Sequence, residues 1–105
     1  MKTLIIDKIS PVVEIKLKEQ GCFSITTEIL PDKARLKDML PDYELLIMRV
    51  DPKIDKEILD VAAGHIKLIA ICATGTNHID LDYAKKVGIN EIVRFDKRKR
   101  IIEKI

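Results

Sequence analysis

The residues best suited to bind a small anion lie in one polar stretch, residues 72–82, which reads Cys-Ala-Thr-Gly-Thr-Asn-His-Ile-Asp-Leu-Asp. An apolar run over residues 66–71 precedes it and predicts a strand, while Asp80 is typical of a residue that caps a following helix. A strand end, a glycine-containing loop and a helix start bring free backbone N–H groups to one point. The stretch therefore predicts a site for a carboxylate or a phosphate.

The composition indicates one folded domain over residues 1–105. Hydrophobic residues make up 47% of the chain and aromatic residues only 4%, so the core must consist mainly of Ile, Val and Leu. Such a core favours strands buried on both faces, as in a parallel sheet. The net charge of +2 predicts no nucleic-acid partner. We expect the basic run at residues 97–100 to be the solvated face of a terminal helix.

Other features of the sequence indicate its setting. No run approaches the roughly 20 apolar residues of a membrane span, and the N-terminus lacks a signal-peptide cleavage site, so we expect a cytoplasmic protein. Abundant Lys and Glu with scarce Asn and Gln favour a thermophile source. Cys22 and Cys72 lie on different predicted strands without metal-ligand spacing, so we expect buried free thiols and no metal site.

Short apolar runs alternate with capped segments along the whole chain. Strands are predicted over residues 3–7, 22–27, 44–49, 66–71 and 91–95, and helices begin at Ser10, Asp32, Asp55 and Asp80. A fifth helix is expected at the end, carrying Ile101, Ile102 and Ile105. Residues 13–17 alternate like a strand, but the Ser10-Pro11 start and the Gly21 stop favour a helix there. The predicted fold class is α/β: a flavodoxin-like, doubly wound, five-stranded parallel sheet of order 2-1-3-4-5 with helices on both faces.

Three segments, residues 4–10, 42–49 and 67–89, resemble the substrate-binding (catalytic) domain of the D-isomer-specific 2-hydroxyacid dehydrogenases. Among members of that family, D-3-phosphoglycerate dehydrogenase is the most similar. The most specific match is Gly-Thr-Asn-x-x-Asp-Leu-Asp at residues 75–82, and the whole resemblance covers about residues 3–90. It implies that this chain carries the fold of that domain.

The resemblance also implies a substrate site. Arg49, at the end of the third strand, would help to hold the acidic group of the substrate. The backbone N–H groups of Thr74 and Gly75 would bind the substrate carboxylate, and Asn77 would face the substrate and nicotinamide region. These types suit the chemistry, because arginine clamps a carboxylate through two hydrogen bonds and backbone amides bind anions without loss of side-chain entropy.

The chemistry that the family performs is NAD-dependent oxidoreduction of a CH–OH group, and the residues for it are not all present here. The four glycines (21, 64, 75 and 88) have no G-x-G-x-x-G spacing, and no position matches the catalytic Arg, Glu and His of the family. We therefore expect a stand-alone or truncated domain that binds a small 2-hydroxy or 2-oxo acid, with no catalytic residue and no cofactor of its own. A separate NAD-binding chain or a homodimer would be its partner. Neither His65 nor His78 is expected to be catalytic.

Two alternatives stay open from the residues alone. The chain could be a regulatory or protein-interaction module resembling a response-regulator receiver, with Asp7, Asp51, Thr74 and Lys97 near strand ends. Alternatively, Gly75 and Asn77 could merely build a turn, with Arg49 paired to Asp51 at the surface. A carboxylate so close to Arg49 would also weaken its field, which weighs against phosphate recognition.

Overall fold

The computed structural model describes residues 1–21, 24–73, 78–89, 91–96 and 101–104. In chain order its elements are β1 (Lys2–Ile5), α1 (Pro11–Glu19), β2 (Ser24–Thr27), α2 (Lys33–Met39), a 3₁₀ turn (Leu40–Asp42), β3 (Leu45–Met48), α3 (Lys56–Ala62), β4 (Leu68–Ile71), α4 (Leu81–Lys86), β5 (Glu91–Asp96) and β6 (Ile101–Lys104).

The four helices begin where the sequence predicts. Each starts after a polar side chain that accepts a hydrogen bond from a backbone N–H of the first turn: Ser10, Asp32, Asp55 and Asp80. Helix α1 is confirmed despite its strand-like alternation. It contains no fully buried residue, and Val12 and Ile15 are more than half exposed, so its sequence carries little of the periodicity of a packed helix.

The strands form one sheet of order β2-β1-β3-β4-β5-β6. The first five strands are parallel, in the predicted order 2-1-3-4-5. The predicted terminal helix is wrong: residues 101–104 form a sixth strand, which pairs with β5 antiparallel. Two adjacent β-branched residues, Ile101 and Ile102, favour this outcome, because a strand also satisfies the free backbone groups of the β5 edge. The basic run at residues 97–100 lies outside the described residues.

Helices cover the two faces of the sheet unequally. Alternate strand residues such as Ile69 and Ile71 point to one face, where helices α2, α3 and α4 pack; we call it the three-helix face. Leu68 and Ala70 point to the other, where the buried residues are Ile5, Leu45 and Ile47 and Leu17 of α1 packs against them; we call it the one-helix face. Helices therefore lie on both faces, as predicted.

Within the part of the chain that the structure describes, no helix has the length and hydrophobicity needed to cross a membrane. His65 lies exposed in the turn after α3, as expected. Cys72 is a free thiol, but it is half-buried where burial was expected, because it follows the last residue of β4 on the one-helix face. Cys22 lies outside the described residues.

Candidate functional site

The loops that follow β3 and β4 lie side by side at the carboxyl edge of the sheet. Beyond the strands the pairing continues, since the Cys72 N–H donates to the Met48 carbonyl at 2.7 Å. Farther out, the Ile54 N–H donates to the His78 carbonyl at 2.7 Å, and the Asp80 N–H donates to the Ile54 carbonyl at 3.3 Å. This isolated parallel bridge between Ile54 and Ile79 ties the two loops together. Ligands of doubly wound sheets bind at this edge.

Arg49 is the first residue after β3 and is exposed at this edge. Among the described residues, the salt bridges include none between Arg49 and Asp51 or any other carboxylate. The surface pairing with Asp51, left open by the sequence, is therefore not seen. Arg35, by contrast, is engaged with Glu28 through three hydrogen bonds of 3.0 to 3.2 Å. The Arg49 guanidinium is thus available to an anion.

Cys72 lies close enough to Arg49 to feel its charge. Burial raises the pKa of the Cys72 thiol, and the positive charge of Arg49 opposes that rise. A thiol with a raised pKa stays protonated at neutral pH, and the thiolate is the nucleophilic form. Cys72 therefore supplies a polarizable wall beside Arg49 and no activated nucleophile.

His78 follows the polar loop directly and makes a contact that the sequence did not predict. Burial lowers the pKa of its imidazole, while a hydrogen bond with the Arg49 backbone and the charge of Asp51 raise it. The Nε2 atom is buried and has no hydrogen-bond partner among the described residues. The signal for this role was its place two residues before the cap Asp80, where its backbone must pass the loop after β3.

The remaining predicted site residues, Thr74, Gly75 and Asn77, lie outside the described residues. Their assignments stay predictions, and Arg49 is the one predicted ligand that the structure describes. Of the four residues that a receiver would use, Thr74 and Lys97 also lie outside. In the described ranges, no group of three His, Cys, Asp or Glu side chains is arranged to hold a metal ion.

The surface around Arg49 is unusually apolar for an exposed edge. Val50 is 52% exposed beside Arg49, and Ile29 and Leu30, which follow β2, are 46% and 52% exposed. Leu30 has φ +44°, a left-handed conformation that is rare for a bulky residue, and its N–H donates to the Ile6 carbonyl at 2.8 Å. The backbone therefore holds this apolar side chain outward at the carboxyl edge.

A shallow depression lies beside the bridge, on the side of α3. Its lining carries charges of both signs and comprises Lys53, Ile54, Asp55, Lys56, Glu57, His78, Ile79 and Asp80. Arg49 is not part of it. Because its acidic and basic groups compete, this depression is a poorer anion site than the surface at Arg49.

Comparisons with known proteins agree with this fold. The family model described as "D-isomer specific 2-hydroxyacid dehydrogenase, catalytic domain" matches residues 3–92. A Staphylococcus saprophyticus protein named as a 2-hydroxyacid dehydrogenase is 36% identical over 87 residues, which are 76% of this chain and 26% of that protein. The erythronate-4-phosphate dehydrogenase of Bacteroides thetaiotaomicron is 30% identical over 91 residues, covering 85% of this chain and 24% of that enzyme.

Solved structures share the fold. The PH0520 protein of Pyrococcus horikoshii superposes with a TM-score of 0.81 at 24% identity, over 92% of this chain and 28% of that one. The chain thus spans about a quarter of the length of the relatives it matches.

Proposed function

This chain belongs to the D-isomer specific 2-hydroxyacid dehydrogenase family, as its catalytic domain, and from this membership we propose that it binds a small 2-hydroxy or 2-oxo acid. The site is the carboxyl edge of the sheet, with Arg49 on the carboxylate, the backbone N–H groups of Thr74 and Gly75 on the same group, and Asn77 beside the reacting carbon. The observation that supports it best is the exposed Arg49 guanidinium, which has no salt bridge within the described residues.

The proposed ligand is an acid without a phosphate group. Relatives include erythronate-4-phosphate dehydrogenases, and structural neighbours include a 3-phosphoglycerate dehydrogenase of Entamoeba histolytica and D-lactate dehydrogenases. The exposed Asp51 carboxylate, two residues beyond Arg49, repels a second anionic group at this edge. A special likeness to D-3-phosphoglycerate dehydrogenase is thus kept as a proposal about the ancestry of the site, with D-glycerate expected to bind better than 3-phosphoglycerate.

An amide NMR titration tests this proposal. D-Glycerate, 3-phosphoglycerate and 2-oxoglutarate are added in turn to the wild-type chain, to Arg49→Met and to Arg35→Met. Both variants lose one positive charge, but Arg35 is already engaged by Glu28. We expect the wild-type shifts to centre on Arg49 and residues 74–77, and Arg49→Met to weaken binding about tenfold or more, since a hydrogen bond to a charged group contributes about 1.5–3 kcal/mol. Equal weakening by both variants would show a non-specific charge effect, and the absence of shifts would contradict the proposal.

We further propose that the NAD of the family reaction is supplied by a separate polypeptide region that covers this edge. The apolar residues Ile29, Leu30 and Val50 surround Arg49 and are about half exposed, which is what a surface awaiting a cover presents. Hydride transfer then takes place only in the covered state, since this sequence has no G-x-G-x-x-G loop.

Two measurements separate the proposed partners. Nicotinamide fluorescence of NADH should not change when the chain alone is added, whereas tight binding would contradict a separate cofactor region. Sedimentation velocity should show a monomer for both the wild type and Val50→Asp. A wild-type dimer that Val50→Asp dissociates would instead identify a second copy of this chain as the cover.

A further inference from the structure

His78 contacts both ends of the loop that carries Arg49. Its carbonyl accepts the Ile54 N–H at 2.7 Å at the far end, and its imidazole is hydrogen-bonded to the Arg49 backbone at the near end. The segment between, residues 49–54, follows β3 directly and includes the exposed Asp51. One residue outside this loop therefore fixes both of its ends.

The contacts of the imidazole indicate its protonation. Nε2 is buried without a partner among the described residues, which leaves Nδ1 for the Arg49 contact. A backbone carbonyl accepts only from an N–H group, so Nδ1 carries the proton. Burial of the ring favours its neutral form, and the Asp51 charge opposes this. The other charged groups around the same depression are Lys53, Asp55, Lys56, Glu57 and Asp80.

We propose that His78 is a positioning residue of the acid site: it holds the backbone at Arg49 through Nδ1–H and at Ile54 through its carbonyl, and so fixes where the Arg49 guanidinium meets the ligand carboxylate. This inference rests on the proposed function, because it names the residue that places Arg49 for that ligand. His78 itself touches no ligand atom. Its effect on binding passes through Arg49 alone.

The tautomer of His78 tests the contact without any ligand. The chain has two histidines, and His65 is exposed in the turn after α3, so it serves as an internal control. Long-range ¹H–¹⁵N correlation at pH 8 should show His78 as the Nδ1–H tautomer and His65 mainly as the Nε2–H tautomer of free imidazole. A His78 ring that is Nε2–H, or mixed in the same proportion as His65, would overturn the proposal.

Three variants separate positioning from general structure. His78→Asn keeps a donor near the position of Nδ1, His78→Leu removes it, and His65→Leu is the matched control. In His78→Leu, ¹⁵N relaxation should show lower order parameters over residues 49–54, and binding of D-glycerate and 2-oxoglutarate should weaken about five- to tenfold, the effect of one hydrogen bond. His78→Asn should restore both, and His65→Leu should change neither.

The outcomes distinguish this proposal from the proposed function. A His78→Leu variant that melts earlier but keeps the order of residues 49–54 and the affinity, measured below its melting temperature, would make His78 merely structural. Lost loop order with unchanged affinity would likewise overturn its role in positioning Arg49. If the wild-type chain binds neither acid, the proposed function fails, and with it the ligand of this site. The tautomer then still decides whether His78 holds the loop.

Discussion

The two faces of the sheet carry similar strand residues but very different cover. On the three-helix face, 18 buried residues form one continuous cluster with α2, α3 and α4. On the one-helix face, the cluster of buried residues comprises three, Ile5, Leu45 and Ile47, with half-buried neighbours around them. Burial of apolar area is the main source of stability, so the three-helix face should hold most of the free energy of folding.

Strand β4 shows the difference within four residues. Ile69 and Ile71 are buried on the three-helix face, whereas Leu68 and Ala70 are only half-buried on the other. Apolar residues throughout a strand therefore indicate that both faces are shielded to some degree, but they do not indicate equally. The site draws on both faces, because the Arg49 loop ends at buried Ile54 on one and lies beside Cys72 of the other.

Adjacent residues of β4 provide the largest test of this comparison. Ile69 is 1% exposed and packs in the large cluster, so Ile69→Ala should lower the free energy of unfolding by about 2–5 kcal/mol through lost burial and a cavity. Leu68→Ala, which removes a side chain of the same size from a half-buried position, should cost less than half as much. Urea denaturation of the two variants measures both. Equal losses would mean that the one-helix face is as tightly packed as the other.

The parts of the fold that the sequence predicted are those with strong local signals. Side-chain caps marked the helix starts at Ser10, Asp32, Asp55 and Asp80, and all four helices begin there. The strand order followed from alternating strands and helices with right-handed crossovers. These signals act within a few residues of each other, so they can be read from the sequence alone.

The end of the chain was mispredicted because its conformation depends on a distant partner. Residues 101–104 carry no cap, and their place is set by pairing with β5. A short apolar run without a cap fits a strand or a helix equally well until its neighbour is known. The expectation that a terminal helix would complete the one-helix face failed with it.

The candidate site was predictable only in its main cation. Arg49 could be found because a charged residue ends a buried strand at the edge where ligands bind. The role of His78 could not be found, because it depends on the bridge between Ile54 and Ile79, a contact across two loops. Backbone pairing between irregular segments leaves no periodic pattern in a sequence.

Helix caps on the two faces give the next largest effects. Asp80 caps α4 through a 3.1 Å bond from the Tyr83 N–H, and α4 packs Ala84 into the large cluster, so Asp80→Ala should cost about 1 kcal/mol. Ser10 caps α1 through a longer bond of 3.3 Å, and α1 has no fully buried residue. Ser10→Ala should therefore cost less in urea denaturation and appear mainly as faster amide exchange within α1. A larger loss for Ser10→Ala would show that α1 is essential to the core.

A charge contribution on the three-helix face should appear as a dependence on pH. A hydrogen bond from Lys33, helped by the Ile58 N–H, lowers the pKa of Asp55 below its ordinary value of 3.8. The ionised form therefore favours the folded state, and its contribution is fully present above pH 3.8 and lost as pH falls through the lowered value. Asp55→Asn keeps the cap but removes the charge, so its stability deficit should be small at pH 7 and vanish near pH 2. A deficit that persists there would assign the loss to the cap.

The smallest effect is expected on the outer side of α1. Val12 is 56% and Ile15 57% exposed, so the double variant Val12→Ser/Ile15→Ser should change the free energy of unfolding by no more than about 0.5 kcal/mol. Helix propensity changes little, because Ser, Val and Ile differ only slightly in it. Urea denaturation and sedimentation velocity check this result together. A larger loss, or a dimer that the double variant dissociates, would mean that a second copy covers the one-helix face, and the inequality between the faces would then belong only to the single chain.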